Sequence, residues 1–115
     1  MSTQAQEKGY NGWTNYETWA VALWIDNEQG SQERAIELAR DCRMSASAQA
    51  KVSQFPRTAE GMLADALKEW IGEEAPDLGA SLYADLLGAA FSEVDWYEIA
   101  EHYLADLEPE EEDEA

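Results

Sequence analysis

Apolar residues in this chain recur three and four positions apart, and nowhere do they alternate with polar ones for long enough to build a strand. That spacing, interrupted by residues that start or stop helices, restricts the chain to short helices packed on one another. Thr14-Asn15-Tyr16-Glu17 is a capping-box pattern, in which the Thr side chain accepts from the third following amide while Glu reaches back. It opens a helix to about Asn27. Trp19, Val21, Ala22, Leu23, Trp24 and Ile25 leave that helix almost no polar face, so it is expected at the buried centre. Asn27-Glu28-Gln29-Gly30 then reads as a turn.

Ser31 is read as the cap of a second helix over 32–46, with a thin stripe of Ala35, Leu38, Ala39 and Cys42. The Ser-, Ala- and Gln-rich stretch 45–57, closed by Pro56, reads as a frayed end and a connector. Thr58 caps a third helix over 59–72 that carries Met62, Leu63, Ala66, Leu67, Trp70 and Ile71. After a loop containing Pro76, a fourth helix over 80–91 carries Leu82, Tyr83, Leu86, Leu87 and Ala90. Asp95-Trp96-Tyr97-Glu98 starts a fifth, to about Leu107, striped by Trp96, Ile99, Ala100, Tyr103, Leu104 and Leu107. The expected fold is all-α: one bundle of about five short helices over 13–107, a flexible lead-in at 1–12 and an acidic disordered tail at 108–115. The 115 residues, 45% of them apolar, supply one core and leave little room for a second.

Charge is distributed unevenly. Up to Lys68 nine acids face seven Lys and Arg, whereas beyond it stand 16 acids and no Lys or Arg. Glu108–Ala115 holds six of those acids, so ten remain in the region expected to fold. Adaptation to high salt would acidify the whole surface, and the near-neutral first part argues against it. A chain of net charge −18 is repelled by phosphate and by anionic lipid, which excludes direct nucleic-acid binding and membrane-surface attachment. No run approaches the roughly 18 apolar residues of a membrane span, and Met1–Lys8 is polar, so a cytoplasmic protein is expected.

Catalytic chemistry has few candidates. The single cysteine, Cys42, lies on an apolar stripe and reads as core, and His102 with Glu98 offers two metal ligands where a site needs more. Gly72 and Gly79 are not followed by the Lys-Ser or Lys-Thr of a phosphate loop, and carboxylate pairs arise by chance among 25 acids. No enzymatic activity, no metal and no cofactor are expected. Trp19, Trp24, Trp70 and Trp96 fall on apolar stripes and are read as core, with Trp13 left as a staple or an exposed ring.

The acids of the second half suggest a partner-binding face. Glu98, Glu101 and Glu108 recur at intervals of three and seven, opposite the apolar stripe of the fifth helix. Glu93, Asp95 and Asp106 flank that row, with Asp77 and Asp85 in support on the preceding loop and helix. Carboxylates one helical turn apart lie about 5–6 Å from each other, on the scale of phosphate spacing, and each like-charged pair costs a helix about 0.2–0.5 kcal/mol. A sequence selected for stability alone would intersperse Lys or Arg. Arg40, Arg43, Lys51 and Arg57 against Asp41 give 40–57 a charge of +3, a patch able to pair with the acids of another copy in a homodimer or with the chain's own.

Asn15 to Asn27, an N-Y-E-T-W-x-V-x-L-W-I-D-N pattern, resembles the opening signature of a family of small uncharacterised proteins of bacteriophages and plasmids. Leu82 to Leu87 and on through Trp96-Tyr97-Glu98-Ile99-Ala100 is similar to that family's second block. The resemblance implies a mobile-element origin within a bacterial host and offers no catalytic residues. Joined to the acidic face, it leads to the expectation of an anti-CRISPR or antirestriction inhibitor. Such a protein imitates nucleic acid and occupies the positively charged groove of a host nucleic-acid-binding protein. The alternative is a small helical adaptor or structural accessory protein that binds through its aromatic and apolar surface.

Overall fold

The computed structural model describes residues 9–108, so the expected tail beyond Glu108 and the first eight residues of the lead-in lie outside the described residues. Among these residues the chain forms five helices: α1 (Tyr16–Asn27), α2 (Gln29–Val52), α3 (Ala59–Glu73), α4 (Leu82–Ser92) and α5 (Trp96–Asp106). The fold is a small all-α domain.

The centre is the pairing of α3 with α5, where Leu63, Leu67, Ile99 and Ala100 are fully buried. Ala35, Ala39 and Cys42 form the inner face of α2, and their small side chains let that long helix lie close on the pair. Burial pushes the Cys42 thiol upward, Asp41 adds to the shift and Arg57 opposes it, so Cys42 packs as a protonated thiol. Arg34 covers the Trp70 ring at 5.3 Å, and Arg57 reaches Asp65 at 2.6 Å and the Gly61 carbonyl at 3.3 Å, fastening α2 and its connector to α3.

α1 lies against α2 and α5 rather than at the centre. It buries only Thr18, Ala22 and Ile25, while Trp24 is 76% exposed and Leu23 and Tyr16 also face outward. The expected all-round burial of this helix fails because only one of its faces meets other helices. Trp19 is half-buried, and Trp70 and Trp96 are core.

Helix boundaries follow cap chemistry. Thr58 and Asp95 cap as their sequence context predicts, accepting from the Gly61 and Glu98 amides. The cap of α1 is Asn15, not Thr14: its Oδ1 accepts from the Thr18 amide at 2.9 Å. Glu28 alone separates α1 from α2, and its carboxylate accepts from the Ser31 amide at 2.7 Å, so Ser31 is capped rather than capping. The Ser31 hydrogen bonds hold the Glu28 carboxyl below its ordinary range, so this cap weakens as pH falls through that lowered value. α2 runs six residues beyond the expected 46, to Val52, since Ala and Gln sustain a helix until the approach of Pro56.

Residues 10–13 of the expected flexible lead-in close into a turn, with Tyr10 and Trp13 exchanging backbone hydrogen bonds at 2.9 and 2.6 Å. Asn11 (φ 48°) and Gly12 (φ 92°) both take positive φ, the requirement of a type I′ turn that the Asn-Gly pair satisfies. The turn sets Tyr10 against Tyr16 and Trp19, and Trp13 against His102.

Thr18 is the one buried polar residue of α1. Its hydroxyl donates to Asn15 Oδ1 at 2.6 Å and accepts from the Asp95 amide at 2.8 Å. Replacing it with the isosteric Val leaves both partners short of a hydrogen bond in a dry site. Thr18→Val is expected to cost about 1–3 kcal/mol in denaturant unfolding with its slope unchanged.

Candidate functional site

The acids singled out in the sequence fall into three groups. Asp95 and Glu98 work within the fold: Asp95 caps α5, and Glu98 Oε1 accepts from the Thr14 amide at 3.0 Å. Asn15 Nδ2 donates to the Glu93 carbonyl at 2.7 Å, so the start of α1 is stitched to the junction of α4 and α5. Asp77 also has a local task, accepting from the Gly79 amide at 3.0 Å, where Gly79 takes φ 62°.

The second group faces outward. The side chains of Glu93, Glu101 and Asp85 are exposed, at the end of α4, midway along α5 and in the first turn of α4 respectively. Along α5 the outer ridge reads Tyr97, Glu101, Ala105 and then Glu108 just beyond its end, so acid and neutral positions alternate there.

The third group surrounds His102. On one side Gly12, Trp13, Glu98 and Glu101 line a hollow of about 260 Å³ with it. On the other, Asp26, Arg40, Tyr103, Asp106 and Glu108 are among the residues lining a second hollow of about 260 Å³. His102 Nε2 lies 3.6 Å from Asp106, and its ring stands edge-on to Trp13 and Tyr103 at 5.3 Å. Sequence spacing pairs His102 with Glu98 alone, since neither Trp13 nor Asp26 is near it along the chain.

The basic patch does part of its work inside the chain. Arg43 Nη1 donates to the Glu108 carbonyl at 2.9 Å, Arg40 lines the hollow that holds Asp106 and Glu108, and Arg57 pairs with Asp65. The C-terminal end of α5 is therefore flanked by cations, whereas Glu93 and Glu101 stand away from them in sequence and on their helices.

Among the described residues no group of three or more His, Cys, Asp or Glu is placed to hold a metal ion, and no helix is long and apolar enough to cross a membrane. What the arrangement offers is a helix with outward carboxylates and, beside His102, one hollow walled by Glu98 and Glu101; the other already has Arg40 in its wall.

These features define a small all-α domain whose two sequence blocks meet in space. The chain belongs to the family of unknown function DUF7249, whose model matches residues 6–109. No curated protein and no solved structure matches it.

The second hollow carries a pH signature. The Tyr103 hydroxyl donates a short hydrogen bond to Asp26 Oδ1. Burial first, then that hydrogen bond and the Asp26 charge, push the Tyr103 phenol far above its ordinary value. A group raised in the folded state contributes stability that is full below its unfolded value and is lost as pH rises past it. Tyr103→Phe is expected to cost about 1–2 kcal/mol at neutral pH. The gap from the parent should narrow above about pH 10, where the unfolded parent ionises at Tyr103 and the variant does not.

Proposed function

We propose that this protein is a non-enzymatic inhibitor of mobile-element origin. It occupies the cationic nucleic-acid groove of a host CRISPR effector or restriction enzyme by presenting carboxylates in place of phosphates. The observation that carries this reading is the pairing of a stiff, stitched α5 with carboxylates on its outer ridge and around His102, in a half of the chain where no Lys or Arg follows Lys68. Glu93, Glu101, Asp106 and Glu108 supply the contact, with Asp85 and Asp77 in support. Asp95 and Glu98 act mainly by holding the helix in place. An arginine or lysine of the groove enters the hollow that Glu98 and Glu101 line beside His102. Association is steered by charge and weakens as salt rises.

A second reading, the helical adaptor, has an observation of its own: Trp24 stands 76% exposed on the rim of an apolar groove with Val21, Ile25 and Ile71. Aromatic residues in such places commonly anchor protein partners. Trp13, half-buried against His102, does not fill that role.

The test is the plating of targeted phage on cells that carry a restriction or CRISPR system and express the chain. The parent is expected to restore plating. Glu93→Lys/Glu101→Lys/Asp106→Lys should abolish that effect while keeping the parental circular dichroism, since lysine is favourable near the ends of α4 and α5. Inhibition that survives the charge reversal and is lost in Trp24→Ala would replace the first reading with the second.

A further inference from the structure

The hollow between α3, α4 and the loop that joins them differs in charge from the three already described. It measures about 340 Å³, and Pro76, Leu78, Leu87 and Phe91 make its wall largely apolar. The groove beside Trp24 contains Glu28 and Glu74, and both hollows beside His102 contain carboxylates. Here no Asp or Glu contributes to the wall, and one cation, Lys68, does. Lys68 is the last cation of the chain and makes no ion pair among the described residues. The residue one turn later on its face of α3 is Gly72, which offers no counter-charge. In a chain of net charge −18, the wall of this hollow is positive.

Two glycines shape the space. A Cβ on Gly72 would meet the Phe91 ring at 3.4 Å, so this glycine lets α4 approach α3. A Cβ on Gly88 would meet nothing within 4 Å, so no neighbour in the chain accounts for a glycine inside α4. Glycine there costs helix stability, and what it permits is close approach of another group to the backbone. The loop in the wall is held by its own hydrogen bonds. Asp77 Oδ1 accepts from the Gly79 amide at 3.0 Å, and the Ser81 hydroxyl donates to the Leu78 carbonyl at 2.8 Å. A preformed apolar hollow with one polar group at its wall is the common form of a small-molecule site.

We propose that this hollow binds a small amphipathic monocarboxylate, with its apolar body over Gly88 and against Phe91 and Leu87, and its carboxylate on the Lys68 ammonium. At roughly 30 Å³ per heavy atom, as for water, the hollow holds about ten such atoms, the size of octanoate. A carboxylate is preferred over a neutral head group because it forms a charge-assisted hydrogen bond with Lys68, which gives up no partner to make it. The ligand touches α3, the loop and α4 together, so it also fastens α4, none of whose own side chains is buried. The site shares no residue with the hollows beside His102 and stands independently of the inhibitor reading.

Amide chemical shifts of the isotopically labelled full chain, titrated with octanoate to about 10 mM and with octanol to about 3 mM, test this. The expected result is saturating shifts at Gly72, Gly88 and Phe91, with a Kd of about 1 mM or below for octanoate and about fivefold weaker binding of octanol. Lys68→Met keeps the aliphatic stem and removes the charge, so it should reduce octanoate to the affinity of octanol. Gly88→Leu fills the hollow and should bind neither, with parental helix content. A parent without saturating shifts overturns the proposal, as does one that binds the two ligands equally. So does a Lys68→Met variant, or a folded Gly88→Leu variant, that binds octanoate like the parent. Were Gly88→Leu to unfold, Lys68→Met, a change at an exposed position, decides.

Discussion

The buried hydroxyl of Thr18, shared between Asn15 Oδ1 and the Asp95 amide, fixes where α5 starts relative to α1. Two further hydrogen bonds reinforce it, from Asn15 Nδ2 to the Glu93 carbonyl and from the Thr14 amide to Glu98. All three cross-links join positions 77 to 84 residues apart, and each satisfies a polar group at a helix terminus that the helix itself cannot. The Asp26–Tyr103 hydrogen bond holds the other end of the same pair. With α5 pinned at both ends, Ile99 and Ala100 are delivered to Leu63 and Leu67, and the core closes.

The stitch also divides the acidic half of the chain by task. Carboxylates near the start of α5 are bound to backbone, and those farther along face solvent or the hollows around His102. A mimic of a polyanion needs stiffness more than density, because mobile carboxylates lose entropy on docking. α4 presents the opposite surface, apolar and with Asp85 as its single charge, on a helix whose Phe91 packs on Trp96 and Gly72.

Much of the architecture is legible in the residues. The 3.6-residue spacing of Leu63, Leu67 and Trp70, and of Trp96, Ile99 and Tyr103, locates the two central helices, and Thr58 and Asp95 mark their starts. Periodicity says which residues share a face and nothing about whether another helix covers it. The exposure of Trp24 and of Leu82, Tyr83 and Leu86 on α4 could not be read for that reason. Asn11-Gly12 was a readable signal for the type I′ turn that carries Trp13 to His102. The meeting of the two sequence blocks was not readable: Asn15 and Thr18 lie in one and Asp95 and Glu98 in the other, and only the folded chain brings them together. Of the acidic face, sequence supplied the members, and packing decided that Asp95 and Glu98 serve the scaffold.

Native-state hydrogen exchange of the Asp95 amide tests the stitch most directly. As the first residue before a helix, Asp95 would ordinarily exchange like a loop amide, and its donation to the buried Thr18 hydroxyl makes the opposite demand. The expected result is protection comparable to the core amides of α3 and α5, lost only on global unfolding. Exchange as fast as that of an exposed loop amide such as Leu78 would contradict the stitch as the contact on which the fold depends.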